Sequence, residues 1–294
     1  MAFRSIRSVA AIAPVRHGPR LITRDIQSKD FGADLNPFIV VSLYDMQGPT
    51  FPPHPHAGFS VATYILPESP IGFINQDSLG NRNRIAPGAL HLTVAGRGVL
   101  HEEQPEKSGP VARGFQIWID HPPDQREREP HALHARAEAM PTLARDGANV
   151  RVVLGAWDGL AAQIAAPSGV RVIDASLSPG ATLTQNLAAD ENVFFIVLEG
   201  AVAVGDAVVS AGSAATFAGD GDEIAIRVHD AGARLTLFAG RPHNAKRLQH
   251  GPFVANDDVQ LRRFSHGFQT GAFGALKPIA AQPDWAPNDG QVIP

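Results

Sequence analysis

Residues 51–66 read FPPHPHAGFSVATYIL, and residues 95–103 read AGRGVLHEE. Side chains on an extended chain alternate with period two, so His54 and His56 share one face, and His101 and Glu103 share another. Pro52, Pro53 and Pro55 stiffen the approach to the first pair, Gly58 ends it, and an apolar strand-like run follows from Phe59 to Leu66. The Gly-rich turn Ala95-Gly96-Arg97-Gly98 feeds the second pair. A lone His-x-His is as often solvated as ligating; turn chemistry beside both pairs is what favours a site. Two such pairs converging inside a barrel gather three imidazoles and one carboxylate around a single divalent ion. Imidazole and carboxylate without thiolate suit iron, manganese, nickel, copper or zinc and not calcium or magnesium. Glu102 sits one residue off the pattern and faces the other way, where it is expected to support the site from behind or to be exposed.

Working outward, short apolar runs cut by turns recur through the first half: Phe38 to Tyr44, Ser60 to Leu66, Leu90 to Val94 and Phe115 to Ile119. Val150 to Leu154, Val170 to Leu177, Val193 to Leu198, Val202 to Val204, Val208 to Val209 and Leu235 to Phe238 continue the rhythm. Regular short strands with Gly, Pro, Asn and Asp punctuation predict an all-β chain built as barrels or sandwiches. Val204-Gly205-Asp206-Ala207 reads as a two-residue hairpin turn. Phe195 to Gly200 echoes Tyr64-Ile65-Leu66, a weak repeat that fits two related barrels. The position matching His54-Pro55-His56 in the second half reads Thr184-Gln185-Asn186, so that half has lost metal chemistry and serves to shape the first or to hold partners. The charged, proline-bounded stretch from Asp120 to Pro130 is the expected crossing between domains 1–135 and 136–294, with His131 and His134 in a solvated connector. Asn256 or Asp257 can cap a short C-terminal helix with Leu261, Phe264 and Phe268 on one face, stopped by Gly271. Residues 277–294 read as an extended strap, with disorder as the alternative.

Composition narrows the function. The 294 residues include no cysteine, which removes disulfides, thiolate catalysis and iron–sulfur clusters, and fits a cytoplasmic protein. A net charge of −4, with 18% charged residues and no basic cluster interleaved with aromatics, argues against direct nucleic-acid binding. No apolar run reaches the ~18 residues of a membrane span. The basic first residues resemble a transit peptide only faintly, and Ile6 to Ile12 is expected to be the first strand.

The strings 51–66, Asp77-Ser78-Leu79-Gly80, Pro87-Gly88, 95–103 and Gln249-His250-Gly251-Pro252-Phe253-Val254 together resemble the pirin family, from about Pro37 to about Gly271. The resemblance implies two cupin barrels of jelly-roll type in tandem, with an Fe(II)-type metal in the first. It implies His54, His56, His101 and Glu103 as ligands, with Fe(II) the expected ion and Mn, Ni, Co, Cu or Zn as alternatives. It also implies cleavage of a flavonol of the quercetin type with dioxygen and release of carbon monoxide. Glu103 is then the candidate base for the enol proton, within a pocket lined by residues such as Phe59, Leu92 or Trp118. An alternative from the same family is an iron-dependent, redox-sensing protein that binds a transcription or metabolic protein partner. One departure stands out: Ala89-Leu90-His91-Leu92 replaces the Gln-Trp that pirins more often carry, which alters the fit of the usual substrate. His91 is expected to line the pocket and contact substrate or a bound water, with ligation in competition with His101 left open.

Overall fold

The computed structural model describes residues 2–288. It is almost entirely antiparallel β-structure, and the chain divides into two compact units, each a seven-stranded sheet with a four-stranded sheet. In the first unit the larger sheet runs in the order His131–Ala135, Leu90–Val94, Phe59–Ile65, Ala112–Asp120, Phe38–Met46, Leu21–Ile26, Val15–His17. Its smaller sheet runs His54–His56, Val99–Pro105, Phe73–Asp77, Arg82–Ile85. The second unit has the larger sheet Ile6–Ala11, Ser213–Phe217, Asn192–Glu199, Ala233–Gly240, Arg171–Leu177, Ala148–Leu154, Thr142–Arg145. Its smaller sheet is Thr182–Asn186, Glu223–Arg227, Ala201–Val204, Ala207–Ser210. The connectivity of the smaller sheets is the same in both units, so the weak sequence echo is a structural repeat. The expected strands all form, with ends within three residues of those expected. The Val204–Ala207 hairpin closes with those two residues paired.

The repeat shows what takes the place of the clustered histidines in the second unit. Thr182–Asn186 and Glu223–Arg227 occupy the sheet positions of His54–His56 and Val99–Pro105, but their buried members are Leu183, Ile224 and Ile226. These pack with Val152, Phe195, Val197, Leu235 and Leu237 into an apolar core. The first barrel instead buries His56, His91, His101, Glu103, Asn75 and Asn83.

The units do not follow one cut between residues 135 and 136. Residues 2–13 and 25–39 join 140–242 in one unit, and 243–288 join 14–24 and 40–139 in the other. The reason is strand pairing: Ile6–Ala11, expected as a strand, pairs antiparallel with Ser213–Phe217, more than 200 residues away in sequence. The stretch from Asp120 to Pro130 also does not cross between the units: it lies within one of them, with Asp124, Glu127 and Glu129 exposed but Asp120, His121 and Arg126 buried. Arg126 is fully buried, with a guanidinium nitrogen 2.9 Å and 3.1 Å from the two carboxylate oxygens of Asp120, and it donates to Asn256 Oδ1 at 2.8 Å. His134 likewise is buried in the strand His131–Ala135, paired opposite His91. Charges that read as a connector are held inside because they are paired.

The C-terminal helix Asp258–Gln269 starts at Asp257, whose side chain accepts from the Gln260 backbone N–H. Its Phe264 packs with Ala57, Phe253, Ala255 and Phe273, with Leu261 alongside, whereas Phe268 is 42% exposed. No helix among the described residues is long and apolar enough to cross a membrane. Residues 289–294 of the strap lie outside the described residues.

Candidate metal centre

The strand His54–His56 lies antiparallel to Val99–Pro105 with His54 opposite His101 and His56 opposite Val99. Both segments are seated by chain from far downstream, and glycine is required at both contacts. At Gly58 (φ +86°) a Cβ would stand 1.8 Å from the Val254 carbonyl oxygen, and at Gly98 (φ +136°) it would stand 2.0 Å from the Phe273 ring. The Gly251 turn and Phe253, together with the helix behind them, thus fix the two ligand strands from outside.

The candidate ring nitrogens of His54, His56 and His101 all lie within 4.8 Å of one another. His54 Nδ1 donates to the Pro52 carbonyl at 2.9 Å, which leaves the lone pair on Nε2, and that nitrogen faces His101 Nε2 at 3.1 Å. Neither nitrogen of His56 has a partner, nor does His101 Nδ1, although both rings are buried. Burial, and then the neighbouring imidazoles, hold His56 and His101 well below the usual histidine range. Burial also lowers His54, against the opposing pull of its bond to Pro52. Three neutral imidazoles, each with a ring nitrogen within 4.8 Å of the others, are the donor set a divalent transition metal takes. A buried polar atom left without a partner is otherwise costly, so this group fits a metal ion.

Glu103 follows His101 on the same face. Its Oε2 accepts from Thr63 Oγ1 at 2.7 Å and from Gln116 Nε2 at 3.2 Å, and its Oε1 has no partner. The carboxylate lies outside the nitrogen group. Burial pushes it up to about 7, against the bonds from Thr63 and Gln116, and the nearby Asp77 charge adds to the rise.

The wall beside the histidines is aromatic. Trp118 meets the His56 ring edge-on at 5.4 Å between centroids and Phe59 at 4.7 Å, and Trp118 and Gln116 are both partly exposed. Leu92 does not belong to this wall: it alternates with His91 and Thr93 and points to the other face of its strand.

His91 lies opposite Thr63 and His134 on neighbouring strands and stays outside the nitrogen group of His54, His56 and His101. Burial, and then His134, push it down to about 3. Asn83 Nδ2 lies 3.5 Å from His91 Nδ1 and 3.3 Å from His134 Nδ1, and Asn75 Nδ2 donates to Asn83 Oδ1 at 2.9 Å. Asn75, Asn83 and His134 are buried polar neighbours of the site that the sequence reading missed. Only the cross-strand register, which places Glu103, Asn75 and Asn83 in one row, signals them.

Glu102 is buried, not exposed. On the opposite face of the ligand strand its Oε2 accepts from the Ile279 backbone N–H at 2.8 Å and from Gln76 Nε2 at 2.9 Å. Gln76 also donates to the Lys277 carbonyl at 2.6 Å, so the C-terminal strap is tied to the back of the site strands.

Comparison with known proteins agrees with this architecture. Residues 22–119 match the family profile described as Pirin, and residues 172–274 match that described as Pirin C-terminal cupin domain. A pirin-like protein of Caulobacter vibrioides is 32% identical over 250 residues, covering 81% of this chain and 87% of that protein. A Pseudomonas aeruginosa protein provisionally named a quercetin 2,3-dioxygenase is 30% identical over 250 residues, covering 80% of this chain and 86% of its own. The crystal structure of a quercetin 2,3-dioxygenase from Acinetobacter baumannii superposes with a TM-score of 0.83 at 23% identity, covering 94% of this chain and 100% of that one. At that identity the likeness establishes the shared fold.

Proposed function

Because the chain belongs to the pirin family, we propose that its first cupin barrel is a metal-dependent dioxygenase site that cleaves a flavonol of the quercetin type with release of carbon monoxide. The observation that carries this reading is the group of three neutral imidazoles within 4.8 Å of one another, with the buried carboxyl of Glu103 two residues after His101 on the same strand face. His54, His56 and His101 would hold the ion, with the unpartnered Oε1 of Glu103 as the fourth donor. A bound divalent ion, Fe(II) first among Mn, Ni, Co, Cu and Zn, supplies Lewis acidity and, as iron, electron exchange with dioxygen.

The remaining work falls to the chain. A flavonol must lose its enol proton to react, and a carboxyl near neutrality suits a proton acceptor at physiological pH. Thr63 and Gln116 bond the same oxygen of Glu103, so the carboxylate is aimed while Oε1 stays available. A bound cation would pull the Glu103 carboxyl down towards the ionised form in which it accepts the proton. Trp118 and Phe59 offer an apolar face to a planar aromatic substrate.

The test is oxygen consumption by the Fe(II)-reconstituted protein on addition of quercetin, with carbon monoxide read in parallel. Uptake with matching carbon monoxide supports the reading. No uptake by fully iron-loaded protein rejects it, and favours a redox-responsive protein that binds a protein partner.

A further inference from the structure

The first barrel contains two cross-strand rows of polar side chains. Gln116, Thr63, His91 and His134 are paired in sequence across four strands of the larger sheet. Glu103, Asn75 and Asn83 are paired across three strands of the smaller one. Directly paired residues point to the same side of a sheet, and Thr63 bonds Glu103 while Asn83 reaches His91 and His134, so both rows face one chamber.

The amides set the protonation of the imidazoles. Asn75 Nδ2 donates to Asn83 Oδ1, which commits the Asn83 amide nitrogen to the histidines. An amide NH2 only donates, so Nδ1 of His91 and Nδ1 of His134 must both accept. The ring proton of each is then on Nε2. Turning both amides over would leave the two N–H donors of Asn75, which is fully buried, without acceptors, in place of the single carbonyl oxygen that is unpartnered now. Orphaned buried N–H groups are the rarer of the two.

The Nε2 atom of His91 has no partner, and neither has Oε1 of Glu103. The His91 ring is close enough to contribute to holding His101 neutral. A donor and an acceptor are therefore both left open in the chamber of the three ligand histidines.

We propose that Asn83, backed by Asn75, is a positioning residue that fixes His91 as an Nε2–H donor, which makes His91 a substrate-oxygen contact and not a metal ligand. The substrate class so recognised carries a hydrogen-bond-accepting oxygen, to which His91 donates, beside the group that meets the metal site. The identity of the substrate rests on the dioxygenase reading; the proton position on His91 does not.

The experiment uses the full chain loaded with zinc, which is diamagnetic, and labelled with 15N at histidine. In the wild type, His91 should show its proton on Nε2, and in Asn83→Asp, whose carboxylate only accepts, on Nδ1. Anaerobic titration with quercetin should show affinity weakened about tenfold in His91→Leu, the loss of one hydrogen bond, and mostly recovered in His91→Gln. Both His91 variants should retain one zinc per chain. A wild-type proton on Nδ1 overturns the proposal, as does loss of zinc from His91→Gln, or a His91→Leu protein that is folded and binds quercetin like the wild type. If the wild type binds no quercetin, the dioxygenase reading fails, and the proton position alone decides whether Asn83 sets His91.

Discussion

Nε2 of His54 and Nε2 of His101 face each other at 3.1 Å across two antiparallel strands. The proton of His54 is on Nδ1, bonded to Pro52, so a lone pair points at its neighbour. Without a cation His101 Nε2–H donates to that lone pair; a bound cation would take the place of the shared proton and accept a lone pair from each nitrogen. His56→Ala and His101→Ala are therefore each expected to abolish stoichiometric binding of Fe(II) or Zn(II), read by elemental analysis after reconstitution and desalting. In the wild type, saturating metal should raise stability by about 4 kcal/mol at a thousandfold excess over the dissociation constant, and this gain should vanish in both variants. Full metal content in both would show that the ligand set is misassigned.

Glu103 separates binding from chemistry. Glutamine at 103 retains an oxygen to accept from Thr63 but cannot take a proton. Glu103→Gln is expected to keep most of the bound metal while oxygen uptake with quercetin falls by about a hundredfold or more. Parallel loss of metal and uptake would instead make Glu103 chiefly a ligand, and unchanged uptake would remove it from the mechanism.

The pairing of His54 with His56 on one face was legible because strand alternation is a local rule: His54, Pro55 and His56 need no knowledge of the rest of the chain. The apolar strands were legible for the same reason. What was not legible depends on pairing between distant segments. Ile6–Ala11 has the pattern of a strand but carries no mark that its partner is Ser213–Phe217. Arg126 and Asp120 read as surface charges because a buried ion pair looks the same in sequence as a solvated one. His134 was assigned to a connector, and Asn75 and Asn83 passed unnoticed, because their role arises from cross-strand register. Leu92 was placed in the pocket although the alternation that puts His91 inside puts Leu92 outside. For Glu102 the alternation left support from behind and exposure both open, and what decides between them is a backbone N–H, at Ile279, which leaves no signature in sequence.

His121 is expected to make stability depend on pH in a definite direction. Its ring is fully buried, with Nε2 2.7 Å from Ser60 Oγ, and burial, reinforced by the Arg128 charge, pushes it down to about 3. Between the unfolded value of about 6.5 and that folded value, the unfolded chain binds a proton that the native chain refuses. Stability is then full above the unfolded value and falls as pH drops, by up to about 1.4 kcal/mol per pH unit for each such histidine. Denaturant titrations of metal-free protein from pH 7.5 to 4.5 should show this slope, and His121→Gln should flatten it by about one such increment. An unchanged slope would mean that His121 is protonated in the native state.

Glu102 is expected to act on the strap and to leave metal binding intact. Its carboxylate receives the Ile279 N–H and the Gln76 amide behind the ligand strand, and Gln282 Nε2 extends the same network to Gln76 Oε1 at 3.0 Å. Hydrogen bonds to a charged group contribute about 1.5–3 kcal/mol each, and their loss falls on the segment that opens most easily. Glu102→Ala should therefore raise the rate of limited proteolysis within residues 277–288 by tenfold or more, since about 1.4 kcal/mol is a factor of ten in the population of the open form. Metal content should stay at the wild-type level, because His101 and Glu103 face the other way. Metal loss without faster cleavage would place Glu102 in the site and dissociate it from the strap.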